Sequence, residues 1–393
     1  MARKILLVSR SVPPGASGSS VIIGNLARQF TRDEMVVVGA WFMESPPVEW
    51  RAEWPKLIYA TINPPDGWRG LRFIRWAQFP WLLVRAWWAL VMNRCDVILG
   101  VYPDEIYLFA AYVLSVITGK PLYLYFHNTY LEHARGNIMA GWLQPRAFKR
   151  ARHMFVMSKA MQALYRRYYP DLVCTPLVHS YNENPPEMSS LPSTETVGSP
   201  LRIVLSGSVN ASNEGAVEHM AGAIRALPDT ELWIYSKTNT GYLKRMGVDV
   251  DSPQFHLTTV SRDTLIAELQ KADILFLPHG FGERESQEEI ETIFPTRTIE
   301  YLIAGRPILA HAPDKCFISD FLREHDCALL VTEPSAEAVQ AAIEQLKNDA
   351  ALRRRLVQNA VRAAQQFYAP VVAAHLRGVI QESDLVVASE VST

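Results

Sequence analysis

A chain of 393 residues exceeds the size at which a single hydrophobic core keeps growing, so two domains are expected. Its 49% hydrophobic and 20% charged residues exclude extensive disorder and a fibrous chain. The net charge of -1 hides an asymmetry: residues 1–190 hold 21 Lys+Arg against 13 Asp+Glu, and the rest hold 18 against 27. A basic half that faces an anionic surface or acceptor and an ordinary scatter of solvated charge both fit that split.

The opening KILLVS reads as a strand, PPGASGSS (13–20) as a loop, and VIIGNLARQF as a helix with apolar spacing at Val21, Leu26, Ala27 and Phe30. No long apolar run with a cleavage site precedes the strand, so a cytoplasmic chain is expected and the sequon at Asn210 carries no weight. The cysteines, Cys95, Cys174, Cys316 and Cys327, form no C-x-x-C pair and read as buried thiols. Further apolar runs at 35–39, 96–101, 122–126 and 153–157 alternate with helix-length segments. That alternation predicts a parallel sheet covered on both faces.

Residues 73–92 are apolar but contain Arg75, Pro80 and Arg85, which makes a poor membrane span. Trp68, Trp76, Trp81, Trp87 and Trp88 stand among Arg69, Arg72, Arg75, Arg85 and Arg94, a mixture suited to a lipid headgroup region. A core helix with a few exposed arginines is the competing reading.

Periodicity lapses over residues 182–200, which read as a linker, and LRIVLSGS then restarts the pattern. A helix over 216–227, the strand ELWIYS, FHLTTV, a helix over 262–271, DILFLP, a helix over 298–304 and RPILAH make a second doubly wound domain. After Glu333 two amphipathic helices are predicted, then a frayed tail. The predicted organisation is 1–185, linker 186–200, 201–365, a helix within 366–385, and a tail over 386–393.

In open parallel sheets ligands bind beyond the carboxyl ends of strands, which singles out four places. Gly15, Ser17 and Gly18 in PPGASGSS let backbone amides approach an anion at a helix start, although G-x-x-G with two prolines is no dinucleotide fingerprint. A plain connecting turn is the alternative there. His127 and Asn128 end a strand, where a histidine donates to a sugar hydroxyl or phosphate, or is simply a structural group. Gly207, Ser208 and Asn210 in LSGSVNASN outline a phosphate cradle. The fullest pattern is residues 273–313, where Thr296, Arg297 and Thr298 begin a helix that carries Glu300. A cation beside a helix start receives a diphosphate, and a carboxylate one turn on accepts from a ribose diol.

FPTRTIEYLIAGRPILA resembles the signature block of retaining family-4 glycosyltransferases, whose GT-B fold sets two Rossmann-like domains facing a cleft. The resemblance implies that Glu300 contacts ribose, that Thr296 and Arg297 lie near the diphosphate, that Gly15 and His127 line the catalytic cleft, and that a C-terminal helix over 365–381 crosses back to the first domain. Two departures stand out. Where the family carries Glu-x7-Glu this chain has Thr292, with Glu291 one place away, and in place of an Arg/Lys pair it offers Ser208, Asn210, Asn213 and Glu214. Arg297 or Lys237 is the candidate for the missing charge, and Val260 lies on the donor side. Asp249-Val250-Asp251 has metal-ligand spacing in a turn-like link, against which metal-independent transfer without a cofactor is expected.

The expected activity is transfer of a glycosyl group from a nucleoside diphosphate sugar to a glycan or lipid-linked acceptor, in cell-surface polysaccharide or glycolipid assembly. It would proceed on or near an anionic membrane surface and without nucleic acid. The rival readings are a catalytically silent nucleotide-sugar-binding subunit and a nicotinamide-dependent oxidoreductase.

Overall fold

The computed structural model describes residues 3–15, 17–43, 50–63, 71–133, 136–182, 186–282 and 284–382, with backbone alone at 71 and 72. Trp68, Arg69, the side chain of Arg72 and the predicted tail over 386–393 therefore lie outside the described residues. The chain divides into two compact units, Met1–Asn182 with Phe367–Thr393, and Glu183–Gln366.

The first unit contains β1 (Ile5–Val8), β2 (Met35–Phe42), β3 (Lys56–Asn63), β4 (Val97–Tyr102), β5 (Leu122–Phe126), β6 (Ala151–Val156) and β7 (Cys174–Pro176). They form one sheet in the order β3-β2-β1-β4-β5-β6-β7 with every pairing parallel. Central strands such as β1, β4 and β5 are buried at every position, as a sheet covered on both faces requires. The edge strands β3 and β7 were absent from the sequence reading. They are half-exposed or three residues long, so they lack a continuous apolar run.

Helix Ala369–Glu382 belongs to this unit: Val372, Ala373, Leu376 and Ile380 join the core that holds Ile22 and Leu26. Arg377 clamps it, donating from Nε to Glu34 Oε1 at 2.8 Å. Burial pushes the Glu34 carboxyl up, but Arg377 and Thr31 outweigh it and hold the group below its ordinary value.

The second unit contains β8 (Leu201–Ser206), β9 (Thr230–Tyr235), β10 (Phe255–Thr258), β11 (Ile274–Pro278), β12 (Ile308–His311) and β13 (Leu329–Val331). Its all-parallel order is β10-β9-β8-β11-β12-β13. Both sheets reverse direction beside their first strand, so each has a switch point at which loops open outward. The Pro- and Ser-rich stretch before β8 is held on this unit. The buried Arg353 guanidinium donates to Thr194 O and Glu195 O at 2.8 Å each, and Arg306 Nη1 donates to Ser193 O at 3.0 Å. Two Rossmann-like α/β units in series are thus the architecture that the alternating sequence pattern implied.

Candidate functional site

At the switch point of the second unit, β8 ends on Ser206 and Gly207 turns the chain with φ +87°, a conformation that a side chain resists. A Cβ on Gly207 would stand 3.4 Å from Arg297 Nη2. The bare backbone lets the guanidinium lie against the turn, where Nη2 donates to Ser208 O at 2.5 Å. Asn213 Nδ2 donates to the same carbonyl at 3.2 Å, and Asn210 Oδ1 accepts from Ser212 N and Oγ at 3.0 and 2.7 Å. Amides and hydroxyls thus fix the 207–213 loop, and Arg297 reaches it from across the sheet.

Helix Arg297–Ala304 starts at Thr296 without a side-chain cap, and its Thr298 amide turns back onto Pro295 O at 3.0 Å. Beside that start, Arg297 Nη1, Thr298 Oγ1 and Ser206 Oγ are buried and have no hydrogen-bond partner among the described residues. Leaving a buried polar group unpaired costs about 1–3 kcal/mol, and more when it is charged. Burial pulls the Arg297 guanidinium below its ordinary value, with Tyr301 and Glu300 acting the other way. Tyr301 is itself held by its hydroxyl, which accepts from Ser206 N at 2.8 Å. An anion that reached Arg297 Nη1 would pair a buried charge. Because Nη1 is covered, engaging it requires neighbouring groups to move.

Glu300 lies one turn along, three-quarters buried, with Oε1 3.5 Å from Nη2 of the exposed Arg262. Val260 is half-buried ahead of Arg262, and Lys237 is exposed just past β9. Helix Gln287–Thr292 places its two noted residues differently. Thr292 is buried and its Oγ1 donates to Glu288 O at 2.7 Å, whereas Glu291 is exposed and accepts from Gln287 Nε2 at 2.8 Å. His279, after β11, bonds through Nε2 to Ile290 O at 2.8 Å, and burial pulls its imidazole down to about 4.

The acidic substitute for a cation pair, Glu214, is answered locally. It accepts from Arg284 through Nε at 3.0 Å and through Nη2, and from the Tyr242 hydroxyl at 2.8 Å. Burial pushes its carboxyl up, but Arg284 and Tyr242 hold it below its ordinary value. Asp249 sits in an exposed turn, 3.8 Å from Lys244 Nζ, with the Asp251 amide 3.4 Å from its Oδ1.

In the first unit, Gly15 is required by crowding: a Cβ would lie 2.5 Å from Ser20 Oγ and 3.0 Å from Val12 O. Helix Gly18–Ala27 is capped by Ser17, whose Oγ accepts from Ser20 N at 3.2 Å, and Ser17 and Gly18 are exposed. His127, at the end of β5, meets this helix through Nδ1, 3.0 Å from Ser19 Oγ, while its buried Nε2 has no partner among the described residues. Burial, and then His179, hold its imidazole well below the ordinary value, so it is neutral near pH 7. Asn128 beside it is half-buried.

The sequence reading missed Ser19, Ser206, Tyr301, Arg262 and Arg284. Ser19 and Ser206 sit inside the segments it singled out, and helical spacing from Arg297 points to Tyr301. Arg262 and Arg284 come from loops whose approach no local pattern encodes.

Comparison with known proteins bears on the family and the fold. The model of Glycosyltransferase Family 4 matches residues 16–175 and that of Glycosyl transferases group 1 matches residues 250–363. No curated protein matches by sequence. Among solved structures, sucrose-phosphate synthase from Thermosynechococcus elongatus aligns with TM-score 0.76 at 14% identity, over 98% of this chain and 100% of that one. Anabaena HepE in complex with UDP-glucose aligns with TM-score 0.68 at 14% identity, over 97% and 100%. A putative UDP-N-acetylglucosamine 2-epimerase from Listeria monocytogenes aligns with TM-score 0.59 at 12% identity, over 97% and 96%. At such identities the structural likeness carries the fold alone, and the two sequence models carry the family.

Proposed function

We propose that this chain, a glycosyltransferase of the GT-B fold resembling family 4, moves a hexosyl group from a nucleoside diphosphate sugar to an acceptor hydroxyl with retention of configuration. The observation that carries the reading is the set of buried atoms without a partner among the described residues, Arg297 Nη1, Thr298 Oγ1 and Ser206 Oγ, around a helix start with no side-chain cap. A diphosphate matches them in charge and in hydrogen-bonding capacity. Glu300 accepts from the donor ribose, with Arg262 steadying the carboxylate, and Thr296, Gly207, Ser208, Asn210, Lys237 and Val260 surround the donor.

The bond from the anomeric carbon to the leaving phosphate oxygen breaks while the bond to the acceptor oxygen forms on the same face. The acceptor proton passes to the departing phosphate. Arg297 and the helix-start amides stabilise the charge that grows on the diphosphate, which lowers the barrier by prearranged electrostatics. That stabilisation comes from fixed protein groups, so the transfer is read as metal-independent and cofactor-free.

On the first unit, neutral His127 orients a sugar hydroxyl through Nε2, and Gly15, Ser17, Gly18 and Asn128 form the acceptor side. Glu291 and Thr292 are assigned to the neighbourhood of the transferred sugar, with Thr292 acting through its position on the helix since its hydroxyl is engaged. The basic first half favours an anionic or lipid-linked acceptor on the cytoplasmic face of a membrane, in polysaccharide or glycolipid assembly.

A thermal-shift screen of nucleoside diphosphates and their sugars tests the reading, because a ligand that binds only the native state raises the melting temperature. UDP and UDP-glucose are the first probes, being bound by the similar HepE structures. A rise with one nucleoside diphosphate, together with slow hydrolysis of its sugar, supports an enzyme. A rise without hydrolysis or transfer favours the silent binding subunit, and no rise with any of them removes the donor reading.

A further inference from the structure

Helix Phe79–Met92 is apolar nearly all round, yet only one side of it is covered. Leu82, Ala86, Ala89 and Leu90 face the core, while Trp81, Val84, Trp87, Trp88 and Val91 are exposed at spacings of three and four. A helix that is hydrophobic all round is normally buried. Two neighbouring helices continue the surface. Val116 and Ile117 on Glu105–Thr118 and Ile138 and Trp142 on Ile138–Arg150 are exposed, Ile138 to 89%. The rings of Phe79, Phe109 and Trp142 join the three helices, with Phe79 stacked on Phe109 at 4.9 Å and Phe109 against Trp142 at 5.8 Å, and Trp76 of helix Leu71–Ala77 packs on Phe79. An apolar expanse of this kind marks an interaction site.

Charge decides what covers it. Residues 67–95 contain five arginines and no Asp or Glu, and residues 67–170 contain 14 Lys+Arg against 4 Asp+Glu. All four acids are engaged within the unit: Asp96 by the Lys4 amide, Asp104 by Arg75 and Arg10, Glu105 by the Tyr130 hydroxyl and Asn137, and Glu132 by Gln144. Cations stand directly on the exposed rings, with Arg85 5.8 Å from Trp81, Lys56 5.7 Å from Trp88 and Arg146 4.6 Å from Trp142. Tryptophan and arginine side by side at a surface suit the depth at which headgroups meet acyl chains. Among the described residues no helix is long and apolar enough to cross a membrane.

We propose that the outer face of helices Phe79–Met92, Glu105–Thr118 and Ile138–Arg150 docks on an anionic lipid bilayer, with Trp81, Trp87, Trp88, Ile138 and Trp142 entering the headgroup region and the surrounding Arg and Lys pairing with lipid phosphates. This surface deepens the reading of a membrane-proximal acceptor, but it does not depend on donor binding, which belongs to the second unit.

The test is flotation of the full-length protein with vesicles of phosphatidylcholine alone or of phosphatidylcholine with an equal part of phosphatidylglycerol. The protein is expected to float with the anionic vesicles, with roughly tenfold weaker binding to the neutral ones and a loss of binding as salt rises. Combined Trp81→Ser, Trp87→Ser and Trp88→Ser should weaken flotation by roughly tenfold or more at an unchanged melting temperature. Should that variant fail to fold, Ile138→Ser with Trp142→Ser reads the same surface from a separate helix. Protein that stays at the bottom with every vesicle overturns the proposal, as does a dimer that dissociates on the tryptophan substitutions, which would make a second copy the occupant. Protein that floats yet ignores every nucleotide overturns the donor reading and leaves this one standing.

Discussion

The two units build the same parallel sheet and finish it differently. At the switch point of the second, beside a helix start with no side-chain cap, one guanidinium nitrogen of Arg297 and the hydroxyls of Thr298 and Ser206 are buried without a partner among the described residues. At the corresponding edge of the first, Ser17 caps the helix and the buried base is a neutral histidine. One edge offers a guanidinium and unpaired hydroxyls, and the other a neutral imidazole beside a capped helix. The difference lies in loop chemistry, since both sheets have the same doubly wound logic.

Removing the charge from the second edge should have the largest effect. Charge-assisted hydrogen bonds contribute about 1.5–3 kcal/mol each, so Arg297→Ala should raise the donor KM roughly ten- to a hundredfold. Steady-state kinetics with a saturating acceptor would read this, and an unchanged KM would erase the distinction between the two edges. Next comes Glu300→Ala, expected to weaken nucleotide binding about tenfold by calorimetry and to remove most of the preference for ribose over deoxyribose. Retained discrimination would move the ribose to another residue.

On the first edge, His127→Ala should lower kcat about tenfold and leave nucleotide affinity unchanged, the opposite split from Arg297→Ala. A matched loss of nucleotide affinity would mean that both edges bind the same ligand.

The smallest effect concerns pH. His279, His311 and His153 are held near 4 by burial, and His179 near 3. Their folded values lie below that of an unfolded histidine, so the unfolded chain binds more protons as pH falls through about 6.5, and stability drops from there toward about 4. Melting temperature should fall from about pH 7 to about pH 5. His279→Gln, which keeps a donor for Ile290 O, should fall less steeply; an identical slope would mean that His279 titrates as it does in water.

Much of this was legible in the amino-acid order. Buried central strands such as LRIVLS and DILFLP announce themselves because both faces of each are covered, and Thr296, Arg297 and Glu300 follow from the helix start that comes after one of them. What escaped depended on distance in space. The three-residue β7 carries too few side chains to make a pattern. The Pro- and Ser-rich stretch before β8 reads only as a linker, because nothing local records that Arg353 fixes its carbonyls from far along the chain. Arg284 is likewise invisible as the partner of Glu214 until loops separated by 70 residues meet.

The most direct measurement is a crystal structure of the protein with a bound nucleoside diphosphate sugar. The account predicts phosphate oxygens within hydrogen-bonding distance of Arg297 and the first amides of helix Arg297–Ala304, the ribose diol on Glu300, and the groups that cover Arg297 Nη1 moved. A nucleotide seated elsewhere, with Arg297 still turned onto Ser208 O, would contradict it.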